Sequence, residues 1–382
     1  MICIYCGSNR FRGFDSYSKF KTVTSDSKPW RSGFEIGLCE ECGFPQTRVT
    51  EAWKISSSRI YRGYSSNNAN QIVGLEQAGI TGGQVHNRVD LLVKFVLTEL
   101  SPKVGGKILD FGCGSGALLR SVSNLRSDLK LFGYDLDDRQ IENLRDISGF
   151  QQLICGDFKT ELKFDLIFMS HTLEHLTNPR ESLQQLRELL SHDGYLTIAV
   201  PDCMRDPFKL LIADHCSHFT SKTLRVLLLG TGFEVVYLDS RPETSECWAI
   251  CKPIGHAIHE VLSVDDTTWL GKSVEWFDVV KDDISDLATR GSFGIFGTSN
   301  NSIWLFGEFE ADIKFFVDED TSRQGTTLFG LPILSPAEVI DGSVVYLPFD
   351  PPRAAKIAKR LSRAGVFWAV PPLGKLFESF PE

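Results

Sequence analysis

Apolar positions along the chain recur with two periods, and their alternation divides it into segments of unequal character. Between 84 and 100 they fall at Val85, Val89, Leu92, Val93, Val96 and Leu100. That helical spacing predicts one helix over 84–100, ended by Ser101-Pro102. From Lys107 short apolar runs alternate with amphipathic stretches. A strand at 107–111 passes through glycines into a helix, a second strand spans 131–135 and a helix 140–147. A buried strand is predicted at 164–170. In the helix after it, Asn178 is placed to cap, Pro179 sits at the first helical position, and Leu183, Leu186 and Leu190 form the inner face. Strands follow at 195–200 and 234–238 with a helix over 222–229 between them, and Trp248 to Lys252 reads as a last edge strand. This rhythm predicts a doubly wound parallel sheet.

After a helix-like stretch over 270–290 the rhythm resumes, with strands at 294–299, 313–318, 342–347 and 366–370 and a helix over 351–364. A third, smaller Rossmann-like α/β unit is predicted there. Residues 64–83, with Tyr64, Asn67, Gly74, Gly79, Gly82 and Gly83, read as a polar connector. The expected units are an N-terminal module with connector (1–75), a Rossmann-like core (76–255) and a C-terminal Rossmann-like unit (256–382).

Composition narrows the function. The chain is 42% hydrophobic and 23% charged, which excludes a disordered polymer. No apolar run approaches the roughly 18 residues of a membrane helix, and the N-terminus lacks the basic start and apolar core of a signal peptide. The net charge of −9 makes nucleic acid a poor partner, because phosphate binding needs a basic face.

Four of the ten cysteines form two pairs, Cys3-Ile-Tyr-Cys6 and Cys39-Glu-Glu-Cys42, each followed by glycine. Two such turns supply the four ligands of a structural Zn²⁺, in a zinc-ribbon-like module with no open coordination position. Residues 1–63 hold 10 Lys and Arg against 6 Asp and Glu, basic surroundings that suit a tetrathiolate. Cys113 fills a position that needs only a small side chain. Cys155, Cys203, Cys216, Cys247 and Cys251 have no metal spacing and are expected as thiols in a reducing cytoplasm.

The loop Asp110-Phe-Gly112-Cys-Gly114-Ser-Gly116 is one residue tighter than the dinucleotide fingerprint, and an acid closes the strand before it. That acid suits a ligand with an amino group and no phosphates. Asp135 ends the second strand, where a carboxylate accepts ribose hydroxyls. Asp157 and Phe158 follow a third apolar stretch, where an adenine would lie. The methionyl, ribose and adenine parts of S-adenosylmethionine each find a partner in sequence order.

On these motifs residues 84–252 resemble a class I S-adenosylmethionine-dependent methyltransferase. The order of a four-cysteine module, a core with Ser170-His-Thr-Leu-Glu-His175, and a C-terminal Rossmann-like unit is similar to sugar C-methyltransferases acting on nucleotide-linked 4-keto-deoxysugars. Cys42-Gly-Phe-Pro-Gln46 and the stretch from Val317 to Ile333 share that resemblance. It implies zinc, S-adenosylmethionine, a nucleotide-linked sugar as small-molecule substrate, and a C-terminal unit that walls a large substrate. It also implies a base and acidic partner between the fifth strand and the next helix, here His215 and Asp214 within Ala213-Asp-His-Cys-Ser-His-Phe-Thr220.

C-methylation beside a ketone needs a base for a carbon-bound proton and a group to steady the enolate, whereas O-methylation needs only a base near a hydroxyl. The residues leave O-methylation of a sugar or other metabolite open, with His171 or His215, as well as a non-catalytic scaffold. His171 stands just past the carboxyl end of a buried strand, where ligands bind in open α/β sheets. Glu174-His175 reads as a loop-anchoring pair, Tyr61 and Tyr64 as surface loop or active-site cover, and His256 and His259 as a solvated helix face. The strand end lacks the Asn/Asp-Pro-Pro-aromatic signature of base-amino methylation, again against nucleic acid. Asp318 stands where a ribose acid of a second cofactor would. Oligomeric state is not legible.

Overall fold

The computed structural model describes residues 2–63, 78–81, 84–241 and 243–377. Tyr64 and most of the connector lie outside them. At its centre is a seven-stranded sheet of order β10-β9-β8-β11-β12-β14-β13. Its strands are β8 (Lys107–Phe111), β9 (Lys130–Asp135), β10 (Phe150–Cys155), β11 (Phe164–Ser170), β12 (Leu190–Pro201), β13 (Phe233–Arg241) and β14 (Glu246–Pro253). All neighbours pair in parallel except β14, which runs antiparallel to both β12 and β13. The fold is α/β and Rossmann-like, as expected.

One expectation fails here. The 248–252 segment is not an edge strand: β14 inserts between β12 and β13, and β13 forms the edge. The burial explains it. Cys247 to Cys251 are all buried, as a strand covered on both faces must be, whereas β13 alternates and leaves Val236 half exposed. The helix expected over 84–100 also starts late, at Arg88–Leu100. Asn87 caps it by accepting from the Val89 N–H at 2.9 Å, while β7 (Gln84–Asn87) pairs with β6 (Ala78–Thr81) as a hairpin.

The C-terminal unit carries a six-stranded sheet of order β17-β18-β16-β15-β19-β20: β15 (Ser292–Phe296), β16 (Ile313–Val317), β17 (Thr327–Leu328), β18 (Leu331–Leu334), β19 (Ser343–Tyr346) and β20 (Val366–Ala369). The predicted parallel rhythm is present. The β17–β18 hairpin is an addition that the apolar pattern did not announce.

The N-terminal residues belong to two cores at once. Cys3, Tyr5, Cys39, Cys42 and Phe44 pack on one face of the central sheet, with Phe44 edge-on to Phe219 at 6.1 Å. Tyr17, Phe20, Val23, Ile36 and Leu38 share a core with the helix Thr268–Leu287 and the C-terminal sheet. β1 (Phe11–Gly13), β4 (Ile36–Cys39) and β5 (Pro45–Thr47) form its small antiparallel sheet, and the pair β2 (Thr22–Val23) and β3 (Pro29–Trp30) carries the turn 24–28.

Phe208 stands at the junction, fully buried, with Trp276 at 5.3 Å, Trp304 at 5.6 Å and Phe277 at 6.1 Å between ring centroids. Phe208→Ala should lower stability by about 3–5 kcal/mol, because three large aromatics cannot close over the lost ring. Denaturant unfolding measures it; a change below about 1 kcal/mol would show that the junction carries little of the fold.

Candidate active site

A cavity of about 240 Å³ opens at the carboxyl ends of β8, β11 and β12. Its lining draws on the whole chain: Ser25 from the N-terminal turn, Asp110 and Gly114 from the glycine loop, His171 and His215 from the core, and Asn300 from the C-terminal unit.

On one side lies the glycine loop. Gly112 has φ +89°, and a Cβ there would stand 2.2 Å from Thr172 Oγ1. Gly116 has φ +82° and abuts Leu144, so the chain turns tightly into the helix Ala117–Leu125. Gly114 N donates to Asp135 Oδ2 at 2.7 Å, and Leu136 N to Asp135 Oδ1 at 2.7 Å. Asp110 is 3% exposed; burial, with the Asp135 charge added, pushes its carboxyl up to about 8. Burial also raises Asp135, against the two amides that stabilise its anion. Asp157 lies apart: its carboxylate is in solvent, 3.3 Å from Lys159. Phe158 packs edge-on to Phe111 at 5.0 Å and tilted on Tyr134 at 4.6 Å, beside the end of β9.

On the other side lie three histidines. His171 follows β11 with a left-handed backbone, φ +52°, a conformation that costs a residue other than glycine about 1 kcal/mol or more. Its N–H donates to Ala199 O at 2.9 Å, and its ring lies 2.5 Å from Glu246 Oε1 through Nε2 and 3.3 Å from Glu174 Oε1 through Nδ1. Burial and Arg88 disfavour the imidazolium, but Glu246 and Glu174 outweigh them and hold its pKa up to about 9. Glu246 is tied to Arg88 at 3.1 Å and accepts from Trp248 Nε1 at 2.8 Å; despite burial its carboxyl sits down at about 2.

Asp214 does not orient His215, contrary to the expected pair. Its carboxylate accepts from Ser25 N at 2.9 Å and Ser25 Oγ at 2.5 Å, and lies 3.3 Å from His175 Nδ1, which also reaches the Asp214 backbone carbonyl at 3.0 Å. The aspartate–histidine pair is therefore Asp214–His175. Burial opposes the charge on both, yet the pairing raises His175 and lowers Asp214. His215 crosses His175 nearly edge-on at 4.6 Å between rings. Burial and the surrounding cations hold it neutral, well below the usual imidazole range. Tyr61, from the helix Glu51–Gly63, meets His175 edge-on at 5.9 Å between ring centroids. His218 is structural: it is fully buried, with Nε2 3.0 Å from Thr47 Oγ1, and Thr220 after it caps the helix Ser221–Gly230.

Glu246, Arg88, Lys209, Ser25 and Asn300 were not anticipated at the cavity. Glu246 alone carried a signal, an acid opening an otherwise apolar strand. In the C-terminal unit Asp318 is engaged, accepting from Thr298 Oγ1 at 2.9 Å and paired with Arg323 at 3.1 Å. His256 and His259 are exposed, on an irregular segment rather than the expected helix face.

The four paired cysteines do converge. Their sulfurs lie within 4.8 Å of one another, with Cys3–Cys42 at 3.7 Å and Cys6–Cys39 at 3.5 Å. A tetrahedron with ligands about 2.3 Å from its centre has edges of roughly 3.8 Å, so the set fits one zinc ion and no disulfide. Tyr5 N and Cys6 N each donate to Cys3 Sγ at 3.4 Å.

Residues 83–238 match the family model of a methyltransferase domain. The chain is 28% identical over 140 residues to a ubiquinone biosynthesis O-methyltransferase of Glaesserella parasuis, covering 34% of this chain and 59% of that one. It is 30% identical over 130 residues to a carboxy-S-adenosyl-L-methionine synthase of Campylobacter jejuni (31% and 52%). It is 27% identical over 165 residues to the O-methyltransferase cnsE of Penicillium expansum (38% and 59%). The chain thus spans about half to three fifths of these relatives. Among solved structures, the DhpI–SAH complex matches with TM-score 0.40 at 16% identity, over 55% of this chain and 100% of that one. A S-adenosylmethionine-dependent methyltransferase from Clostridium acetobutylicum matches with TM-score 0.40 at 12%, over 51% and 99%.

The raised Asp110 carboxyl sets a direction for cofactor binding. Below about 8 it is largely neutral, whereas an ammonium group seated beside it, as proposed below for S-adenosylmethionine, would favour the carboxylate. S-adenosylmethionine affinity should therefore rise with pH up to that value, by as much as about tenfold per pH unit. Asp110→Asn should flatten the profile. Calorimetric titration at pH 6, 7 and 8 checks it; an unchanged slope in the variant excludes Asp110 as the linked group.

Proposed function

We propose that this protein is an S-adenosylmethionine-dependent methyltransferase acting on a small oxygen-bearing molecule, with a structural zinc in the Cys3, Cys6, Cys39 and Cys42 cluster. The observation that carries it is the facing of the glycine loop and the histidine cluster across one cavity, inside a stretch that matches a methyltransferase domain. Asp110, Gly112, Gly114, Gly116 and Asp135 hold the methionyl and ribose ends, and Phe158 borders the adenine, with Asp157 pointing away into solvent. The methyl group passes from the sulfonium to the acceptor, the electron pair of the broken S–C bond stays on sulfur, and the acceptor gives up a proton.

The finer reading is C-methylation of a nucleotide-linked keto-deoxysugar. His171, held between Glu246 and Glu174 at the cavity wall, supports it as a positive charge beside a developing enolate. The cluster of Glu174, His175 and His215, backed by Asp214, manages the proton. Asn300, at the cavity wall, supports contact between substrate and the C-terminal unit. O-methylation is the second reading, favoured by the named activities of two of the relatives. No helix among the described residues is long and apolar enough to cross a membrane. Work in a reducing cytoplasm is part of the proposal, in keeping with ten unpaired cysteines.

S-adenosylmethionine should bind the purified protein, and no binding heat would overturn the enzyme reading. A nucleotide-linked 4-keto-6-deoxysugar should exchange the proton beside its ketone for solvent deuterium. Methyl transfer without that exchange points to oxygen as the acceptor. His215→Ala should lower turnover about 100-fold or more with cofactor affinity intact, and unimpaired turnover removes His215 from the chemistry.

A further inference from the structure

Glu174, His175 and His215 form a constellation that binding of the methyl donor does not use. Their ligand-capable atoms lie within 4.8 Å of one another at the wall of the cavity. Glu174 is 1% exposed and His215 3%. Neither carboxylate oxygen of Glu174 completes a hydrogen bond, although His171 Nδ1 stands 3.3 Å from Oε1, and His215 Nδ1 has no partner. Buried acceptors left open in this way cost several kcal/mol together unless a water or an ion meets them.

The third residue is already prepared. Asp214 holds His175 through Nδ1, with its backbone carbonyl at 3.0 Å and its carboxylate at 3.3 Å. That fixes the ring and leaves Nε2 to coordinate, the carboxylate-behind-histidine arrangement that orients ligands at metal centres.

We propose that Glu174, His175 and His215 bind a divalent transition-metal ion, in a site separate from the four cysteines. Two imidazoles and one carboxylate suit Zn²⁺, Fe²⁺, Mn²⁺ or Co²⁺ rather than Ca²⁺ or Mg²⁺. Ligands about 2.1 Å from an ion stand roughly 3–4 Å apart, so the cluster closes by only about 1 Å to take one. Three protein ligands leave positions facing the cavity. Resting on the reading that this cavity receives the methyl acceptor, the ion would take the acceptor's oxygen and ease loss of its proton, so that the cluster manages the proton through the metal it holds.

The test counts metal. Chelator-treated protein is titrated with Co²⁺ by calorimetry and absorption. Cobalt in the cysteine cluster announces itself by thiolate charge-transfer bands; cobalt held by nitrogen and oxygen gives only weak ligand-field bands. Wild type should bind an equivalent of the second kind, and Glu174→Gln should lose it while keeping the thiolate bands. The proposal is overturned if wild type binds cobalt with thiolate bands only, or if Glu174→Gln binds as much as wild type. Should that variant fail to fold, as read by circular dichroism, His215→Gln carries the same count. Titration of the same samples with S-adenosylmethionine reads the methyltransferase proposal separately: its failure leaves the cobalt count standing, and the reverse.

Discussion

The acceptor side of the cavity depends on one constraint: residues 202–220 run through the middle of the molecule almost wholly buried, with no more regular structure than the short 3-10 turn Pro207–Leu211. Irregular buried backbone must find its hydrogen-bond partners elsewhere. Here the N-terminal residues supply them. Tyr17 OH donates to Leu210 O at 2.6 Å, Ala213 N donates to Val23 O at 2.8 Å, and Trp53 Nε1 donates to Ala213 O at 3.0 Å. Thr47 holds the next two residues, its Oγ1 donating to His215 O at 2.8 Å and its N–H to Cys216 O at 3.1 Å. Without these contacts Asp214 and His215 would have no fixed place.

Charge follows from the same burial. Arg88, Glu246 and His171 form a chain in which each ion has an opposite neighbour, the condition under which buried charge is tolerated. Asp214 is satisfied by Ser25 and His175. Asp110, raised by burial, and Glu174, which shares His171 with Glu246 and completes no hydrogen bond, lie on opposite sides of the cavity. A cavity with surplus carboxylate at both ends favours cations at both ends. A sulfonium cofactor with its ammonium group suits the first, and the second is the position of the Glu174 cluster.

What the sequence disclosed follows from how local each signal is. The glycine loop, the cysteine pairs and the helix from Pro179 are written in adjacent residues, so spacing alone reveals them. The helix starts later than the 84–100 period implies, because Val85 keeps the helical spacing while Asn87 caps the helix. The insertion of β14 is legible in principle, since 247–251 has no polar face, but its place last in the sheet's sequence order points to an edge. The pairing of Asp214 was not legible. Neighbours in sequence point apart on irregular backbone, and only the close approach of residues 173–175 hands the carboxylate to His175.

The cysteine cluster is tied to the chemistry by its position, although its ligands are all protein. It joins residues 3–6 to 39–42, and β5 leaves Cys42 within three residues to end at Thr47. Thr47 is the residue that holds His215 and, through Nε2, His218. At the other end Tyr5 rests on the helix Ser221–Gly230, its hydroxyl donating to Val226 O at 3.4 Å, while Arg180 donates to the Tyr5 carbonyl at 3.1 Å. The sulfurs, β5 and the 210–218 segment thus form one continuous brace from the outer face of the sheet to the cavity wall. Relaxing the four sulfurs shifts Thr47 first, and Thr47 meets the histidine segment directly. The structural metal proposed for that end would therefore be a positioning element for His215, acting through backbone and one hydroxyl.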